Sequence, residues 1–237
     1  MELFDSHLHL DDDVFAADRD AVIDRARATG IVGMVTVGTS VASSRAAIRL
    51  AERYPEVFVA IAVHPHDAQD ATEPAMAELQ MLAGHPKVVA VGETGLDFVR
   101  EDSPRDLQRE AFRCHIRLSV DLGLPLIIHC REAYAEVLDT LPQAKVRDVI
   151  VHAFSGSGEV ACECIARGYA ISLAGPVTYR NARKMAQVAY EVPLELLLVE
   201  TDAPVLTPEP FRGRRNEPAY LEYTVAGIAG LKARSPG

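Results

Sequence analysis

Pro125-Leu126-Ile127-Ile128-His129 and Val149-Ile150-Val151-His152 decide how this chain folds. Each is a short, nearly continuous apolar run closed by a histidine. Runs of this length, rich in branched residues, read as strands covered on both faces, the kind found in parallel sheets flanked by helices. Glu132 to Leu141 lies between them and reads as a helix. The local unit is therefore strand, helix, strand, with the same residue type at each strand's end.

The same unit recurs in both directions. Toward the N-terminus, Val88-Val89-Ala90-Val91-Gly92 is a strand that ends at Glu93, and Pro104 opens a long helix to Leu122. Val57 to Val63 is a strand followed by His64-Pro65-His66, with a helix from about Glu73 to Leu82. Ile31 to Gly38 is a strand, and Ser40 caps a helix through Tyr54 that Pro55 ends. The first strand is Glu2-Leu3-Phe4-Asp5-Ser6-His7-Leu8-His9-Leu10. Asp18 caps the helix after it, with Ala21, Val22 and Ala28 on its apolar face. Toward the C-terminus, strands are expected at Tyr169–Leu173 and Leu196–Val199, the latter ending in Glu200-Thr201-Asp202. Helices are expected over about Gly158–Arg167, Asn181–Tyr190 and from Pro218.

Eight strands, each followed by a helix, predict a single (β/α)8 TIM barrel over residues 1–237. A doubly wound open sheet is the alternative. No strand, however, is followed by a glycine-rich nucleotide-binding turn.

Composition sets limits. With 49% hydrophobic and 24% charged residues, the chain matches an ordinary globular domain. It shows no membrane-spanning run and no leader pattern, which predicts a cytoplasmic protein. Cys114, Cys130, Cys162 and Cys164 lack zinc-finger spacing and read as reduced thiols. Without heptads or an obvious exposed apolar segment, a monomer is expected. The net charge of −10 opposes tight binding along duplex DNA. Two bound divalent cations would add +4, giving −6, with the positive charge concentrated where a phosphate end could enter.

The C-terminal strand ends of a (β/α)8 barrel share one face, which carries the catalytic residues. Here those ends carry His7 and His9, Glu93, His129, His152 and Asp202. His7 and His9 are two apart in a strand and so point the same way. Imidazole and carboxylate are the donors of Zn²⁺, Mn²⁺ and similar ions. Taken singly, His129 and His152 could be core histidines satisfied by backbone groups, and Asp202 could cap a turn before Pro204. Glu93 and Asp202 behind apolar runs would be costly charges unless paired or metal-bound. So many ligands exceed one tetrahedral ion and suit two ions bridged by a carboxylate. Such a pair activates water and clamps a displacement, which makes the reaction class metal-assisted hydrolysis.

Seven motifs carry a family resemblance: Asp5-Ser6-His7-Leu8-His9-Leu10, Val63-His64-Pro65-His66, Gly92-Glu93-Thr94-Gly95-Leu96-Asp97, Ile128-His129-Cys130-Arg131-Glu132-Ala133, His152-Ala153-Phe154-Ser155-Gly156, Glu200-Thr201-Asp202-Ala203-Pro204 and Arg215-Asn216-Glu217-Pro218. In this order they resemble the TatD-type metal-dependent deoxyribonucleases, which lie within the amidohydrolase-like barrels. The resemblance implies one ion on His7, His9, Glu93 and Asp202, and a second on Glu93, His129 and His152. Glu93 would bridge them, and Asp202 would orient or deprotonate the attacking water. Thr94, Phe98 and Ala153 depart from the family's usual residues. None is a ligand, so they bear on substrate fit. Family members usually continue past the last helix, whereas this chain closes at Leu231-Lys232-Ala233-Arg234-Ser235-Pro236-Gly237.

Substrate contacts are expected from His64 and His66, from Arg131, and from the basic loop Arg212, Arg214 and Arg215. The structural alternatives are a capping role for His66, a salt bridge from Arg131 to Glu132 or Asp97, and a solvated loop. The expected activity is cleavage of phosphodiester bonds at DNA ends, as a 3′-5′ exonuclease, with two divalent ions (Zn, Mn, Mg or Fe). Hydrolysis of a small-molecule or aminoacyl ester on the same barrel is the alternative. A catalytically idle binding protein that kept its metals is the rival of another class. The intact ligand set with Asp202 argues against it.

Overall fold

The computed structural model describes residues 1–143, 145–146 and 148–233, so the closing stretch 234–237 lies outside the described residues. Among the described residues eight strands alternate with eight α-helices. The strand order in the sheet follows the sequence, β1 to β8. This is the (β/α)8 topology. The chain divides into two compact units, Met1–Thr36 with Ala153–Gly237, and Val37–His152.

The first unit holds β1 (Leu3–Leu8), α1 (Arg19–Ala28), most of β2 (Ile31–Val37), α6 (Gly158–Ala166), β7 (Ala170–Leu173), α7 (Arg183–Glu191), β8 (Leu197–Val199) and α8 (Leu221–Leu231). β1 pairs in parallel with β2, and β7 with β8. The Ser6 hydroxyl links β1 to its other neighbours, donating to the Val199 carbonyl at 2.9 Å and lying 3.1 Å from Ser172 Oγ. Leu8, Leu10, Phe15, Ile23 and Met34 are fully buried in this unit. Each such side chain contributes about 1.5–3 kcal/mol.

The apolar face of α1 is Val22, Ile23 and Ala26, whereas Ala21 and Ala28 are exposed. Asp18 stands at the N-cap position of α1 but makes no capping bond. Its carboxylate is instead gripped by Arg215, with Nη1 to Oδ1 at 2.8 Å and Nη2 to Oδ2 at 2.7 Å. The hydrogen bonds from Arg215 hold the Asp18 carboxyl down at about 2. A bidentate guanidinium outcompetes a lone backbone amide for a carboxylate. Arg25 similarly binds Glu217, Nη2 to Oε2 at 2.6 Å. These pairs tie α1 to the segment that precedes α8.

The second unit holds α2 (Val41–Arg53), β3 (Val57–Ile61), α3 (Glu73–Leu82), β4 (Val88–Asp97), α4 (Arg105–Leu122), β5 (Leu126–Arg131), α5 (Tyr134–Thr140) and β6 (Val149–Val151). Ser40 caps α2 as expected, accepting from the Ser43 amide at 3.1 Å. β4 departs from the expectation: it continues past Glu93 to Asp97. The reason lies in two glycines with positive φ, Gly92 at 150° and Gly95 at 144°. A Cβ on Gly95 would sit 2.0 Å from the His129 carbonyl oxygen. The ladder to β5 is interrupted between Val91 and Thr94, then resumes from Thr94 opposite Ile128 to Asp97 opposite Arg131. The strand is bulged and continues.

His115 of α4 is fully buried. Its Nε2 accepts the Val63 amide at 2.9 Å, and its Nδ1 lies 2.7 Å from the Ala111 carbonyl oxygen. The ring is therefore neutral with the proton on Nδ1. Burial pushes its pKa down from 6.5 to about 4. Between those values the unfolded chain takes up a proton that the folded chain refuses, so stability falls as pH drops through that window. Urea titrations at pH 7.5 and 5 are expected to show the wild type losing about 2 kcal/mol more than His115→Gln. Equal losses would mean that this ring is not the neutral acceptor described.

Candidate metal centre

In the first unit β1 runs into His7 and His9, and the segment after β8 carries Asp202. His7 Nε2 lies 3.7 Å and His9 Nε2 3.4 Å from Asp202 Oδ1. The imidazoles are 5.1 Å apart and edge to face. Backbone bonds set the spacing. The Asp202 amide donates to the His7 carbonyl at 2.9 Å, and the His9 amide to the Ala203 carbonyl at 2.8 Å. Asp202 itself has φ +53°, a left-handed conformation that a non-glycine residue adopts at a cost of about 1–3 kcal/mol.

Behind these residues is a buried support that sequence reasoning missed. Asp5, on the same face of β1 as His7, accepts from the Thr201 amide at 2.9 Å and the Thr201 hydroxyl at 2.5 Å. Burial pushes its carboxyl up to about 7 against these bonds. Asn216 donates to the carbonyls of Thr201 and Val205 at 2.8 and 2.7 Å. Glu200 accepts the Ala153 amide at 2.8 Å. The signal for Asp5 was present: it stands two residues before His7, as His7 stands before His9.

In the second unit three histidines converge on Glu93. His129 Nδ1 and His152 Nε2 each lie 2.7 Å from Glu93 Oε1, and His64 Nε2 lies 3.3 Å from it. Glu93 is 3% exposed. Burial works to raise its carboxyl, but the neighbouring charges of His152 and His64 and the bonds from His129 and His152 hold it well below the usual range. Burial lowers the His64 pKa, and its Nδ1 already accepts the His66 amide at 3.1 Å, which leaves Nε2–H facing Glu93.

Asp97 is the second carboxylate here, and the sequence suggests it only as a partner for Arg131. Its Oδ2 lies 2.9 Å from His66 Nε2 and 3.1 Å from His129 Nε2. Its Oδ1 accepts the amides of Val99 and Arg100 at 2.9 and 2.8 Å. Gln108 braces its backbone, accepting the Asp97 amide at 2.8 Å. Burial opposes ionisation, but the His129, Arg100, His66 and Val99 bonds keep Asp97 below the normal carboxylate range. The same carboxylate fixes His129 with its Nε2 toward Asp97 and its Nδ1 toward Glu93, the arrangement that orients a ligating histidine.

Of the residues expected to touch substrate, His64 and His66 are drawn into these carboxylates, and Arg131 ends β5 exposed. Among the described residues Arg131 forms an ion pair with neither Glu132 nor Asp97. Arg214 is exposed, its guanidinium 5.8 Å from the Phe211 ring centre. Arg215 differs, because Asp18 occupies its fork.

The donor atoms of His7, His9 and Asp202 lie within 4.8 Å of one another. His64, His66 and His129 also meet that spacing, but His64 Nδ1 is taken by a backbone amide and His66 Nε2 by Asp97. The first group therefore fits a cation better. Glu93 Oε1 fits one as well, since His129 Nδ1 and His152 Nε2 both turn toward it and imidazole with carboxylate is a donor set for a divalent ion.

Comparison with known proteins agrees with this chemistry. The family model described as TatD related DNase matches residues 4–237. The protein of Bacillus subtilis named "uncharacterized metal-dependent hydrolase YabD" is 44% identical over 232 residues, covering 97% of this chain and 91% of that one. The "3′-5′ ssDNA/RNA exonuclease TatD" of Salmonella typhimurium is 38% identical over 247 residues, covering 99% and 93%. The crystal structure of YjjV, a TatD homologue from Escherichia coli, superposes with a TM-score of 0.93 at 30% identity, covering 99% and 92%. The fold is thus the (β/α)8 barrel, and the chain belongs to the TatD family of metal-dependent hydrolases.

Proposed function

We propose that this enzyme hydrolyses phosphodiester bonds at the ends of DNA, as a 3′-5′ exonuclease using two divalent ions. The observation that carries the reading is the all-imidazole and carboxylate donor set, with His7, His9 and Asp202 in one group and His129 and His152 around Glu93 in the other. The exonuclease name of the Salmonella relative supports the substrate class. In the proposal His7, His9 and Asp202 would hold one ion, and Glu93, His129 and His152 would hold the other. Such ions supply Lewis acidity and activate water when bound, and the identity among Zn, Mn, Mg and Fe follows cell supply.

The chain's own residues do the rest. Asp202, 8% exposed and held by the His7 carbonyl, takes the proton from the attacking water at a carboxylate oxygen. Asp97 keeps His129 and His66 in one orientation. Arg131 and Arg214, both exposed, offer guanidinium forks to phosphate oxygens. None of the four cysteines is in a disulfide among the described residues, which suits a reducing compartment, so the proposed place of work is the cytoplasm. No helix among the described residues is long and apolar enough to cross a membrane.

Protein stripped of metal, then reloaded with Mg²⁺, Mn²⁺ or Zn²⁺, tests the reading on an end-labelled single-stranded oligonucleotide and an aminoacyl ester. Stepwise shortening of the DNA that needs metal is the expected result. Asp202→Asn is expected to lose about 10²-fold or more of that rate while retaining part of its metal. Ester turnover with the DNA left intact would move the function to the ester. Arg214→Ala is expected to raise KM for DNA several-fold and to reduce the log–log salt slope by about 0.7. Arg215→Ala should instead lower the melting temperature and leave that slope alone. The reverse pattern would restore Arg215 as the phosphate contact.

A further inference from the structure

A cavity of about 550 Å³ opens in the first unit between the segment after β7 and the segment after β8. Its size falls within the ~300–1,000 Å³ of small-ligand sites. The walls include Phe154, Pro176, Val177 and Leu206, and Arg183 and Lys184 from the first turn of α7 stand at its rim.

Three features make this a built cavity. The Tyr179 hydroxyl donates to the Thr207 carbonyl at 2.8 Å, and the Glu209 amide donates to Thr178 Oγ1 at 2.8 Å, so the two segments are stitched together. Gly175 packs so tightly that a Cβ there would meet the Leu206 carbonyl oxygen at 2.0 Å. Leu206 itself is held at φ +51° in a turn where the Val205 amide donates to the Asp202 carbonyl at 2.9 Å. The cavity wall is therefore continuous with the backbone that sets Asp202.

Charge points to the occupant. The chain carries −10 overall, yet this edge is cationic. Among the described residues Arg183 and Lys184 form no ion pair, and Lys184 acts on Glu159 only at a distance. Nearby Arg212 lies over the Tyr179 ring at 4.1 Å. A larger cavity of about 680 Å³ between α3 and α4 offers the opposite field, with Glu73, Glu110 and Asp121 against Arg117. An apolar slot with a cationic rim suits a flat aromatic base attached to a phosphate chain. Only an unpaired base can enter a slot, because a paired one keeps its neighbours and its stack.

Resting on the nuclease reading above, we infer that this cavity receives the unpaired terminal base of a single strand, with Arg183 and Lys184 on the adjoining phosphates. The base is thereby a handle that places the terminal phosphodiester beside Asp202, and the slot selects frayed or single-stranded ends.

The test is a cycle between base and cavity. Fluorescence anisotropy of a 5′-labelled single strand is measured with the full-length Asp202→Asn protein, which holds the DNA uncut. A second oligonucleotide has an abasic 3′-terminal residue. Removing the base is expected to weaken binding about tenfold. Ala182→Trp fills the slot, since Ala182 lines it half-buried. In that background both oligonucleotides should bind equally, at the abasic level, with an unchanged circular dichroism melt. Charge reversal at the exposed rim, Arg183→Glu with Lys184→Glu, should weaken both oligonucleotides alike. Equal binding of the two by the unfilled protein, or a base effect that survives Ala182→Trp, overturns the inference. Binding untouched by the charge reversal overturns the role of the rim. If the wild type shortens DNA while these results go against the slot, only the slot falls. If it binds no DNA and turns over the ester, both readings fall.

Discussion

Glu93 is a carboxylate 3% exposed to solvent at a bulge in β4, and it stays ionised. An unpaired charge in that position would cost several kcal/mol, a large share of the roughly 5–15 kcal/mol that holds a domain folded. What removes the penalty is the convergence of His64, His129 and His152 on one oxygen. Those three side chains come from the ends of β3, β5 and β6, so the charge constrains how these strands end. Two glycines let β4 bulge and continue beside β5, which brings Asp97 under His129 and His66. The second unit is thus organised from one buried anion outward: histidines first, then the carboxylate that aligns the histidines, then the glutamine that braces it.

The alternation of strand and helix was legible because it depends on local periodicity and breakers. Ser40, Pro55 and the α3 span Glu73–Leu82 behave as the local signals require. The ligand candidates were legible because each closes an apolar run, where a charge needs a reason. Asp97 was not, since Gly92 reads locally as a strand terminator, and only pairing with β5 reveals a bulge. The cap expected from Asp18 fails for the same kind of reason, and the partner of Arg215 is equally hidden. Asp18 carries the local signature of a helix cap, and Arg215 sits in a basic loop. Each is taken by the other, a partner nearly two hundred residues away along the chain. Contacts of that range leave no mark in local spacing.

In the function proposed above, local charge lets an acidic protein address a polyanion. The global −10 keeps it from coating duplex DNA, while cations are gathered locally on the segments after β7 and β8. Among the described residues Arg180, Arg183, Lys184, Arg212 and Arg214 form no ion pairs, whereas Arg25 and Arg215 are spent on holding α1 in place. The distinction between structural and available guanidinium groups emerges from their partners, and composition alone cannot supply it.

The most direct measurement counts metal. Elemental analysis of the purified protein, compared with His7→Ala plus His9→Ala and with His129→Ala plus His152→Ala, reads the two donor groups separately. Two divalent ions per chain are expected in the wild type and one in each double variant. A wild type that binds no ion, or double variants that both keep the full complement, would contradict it.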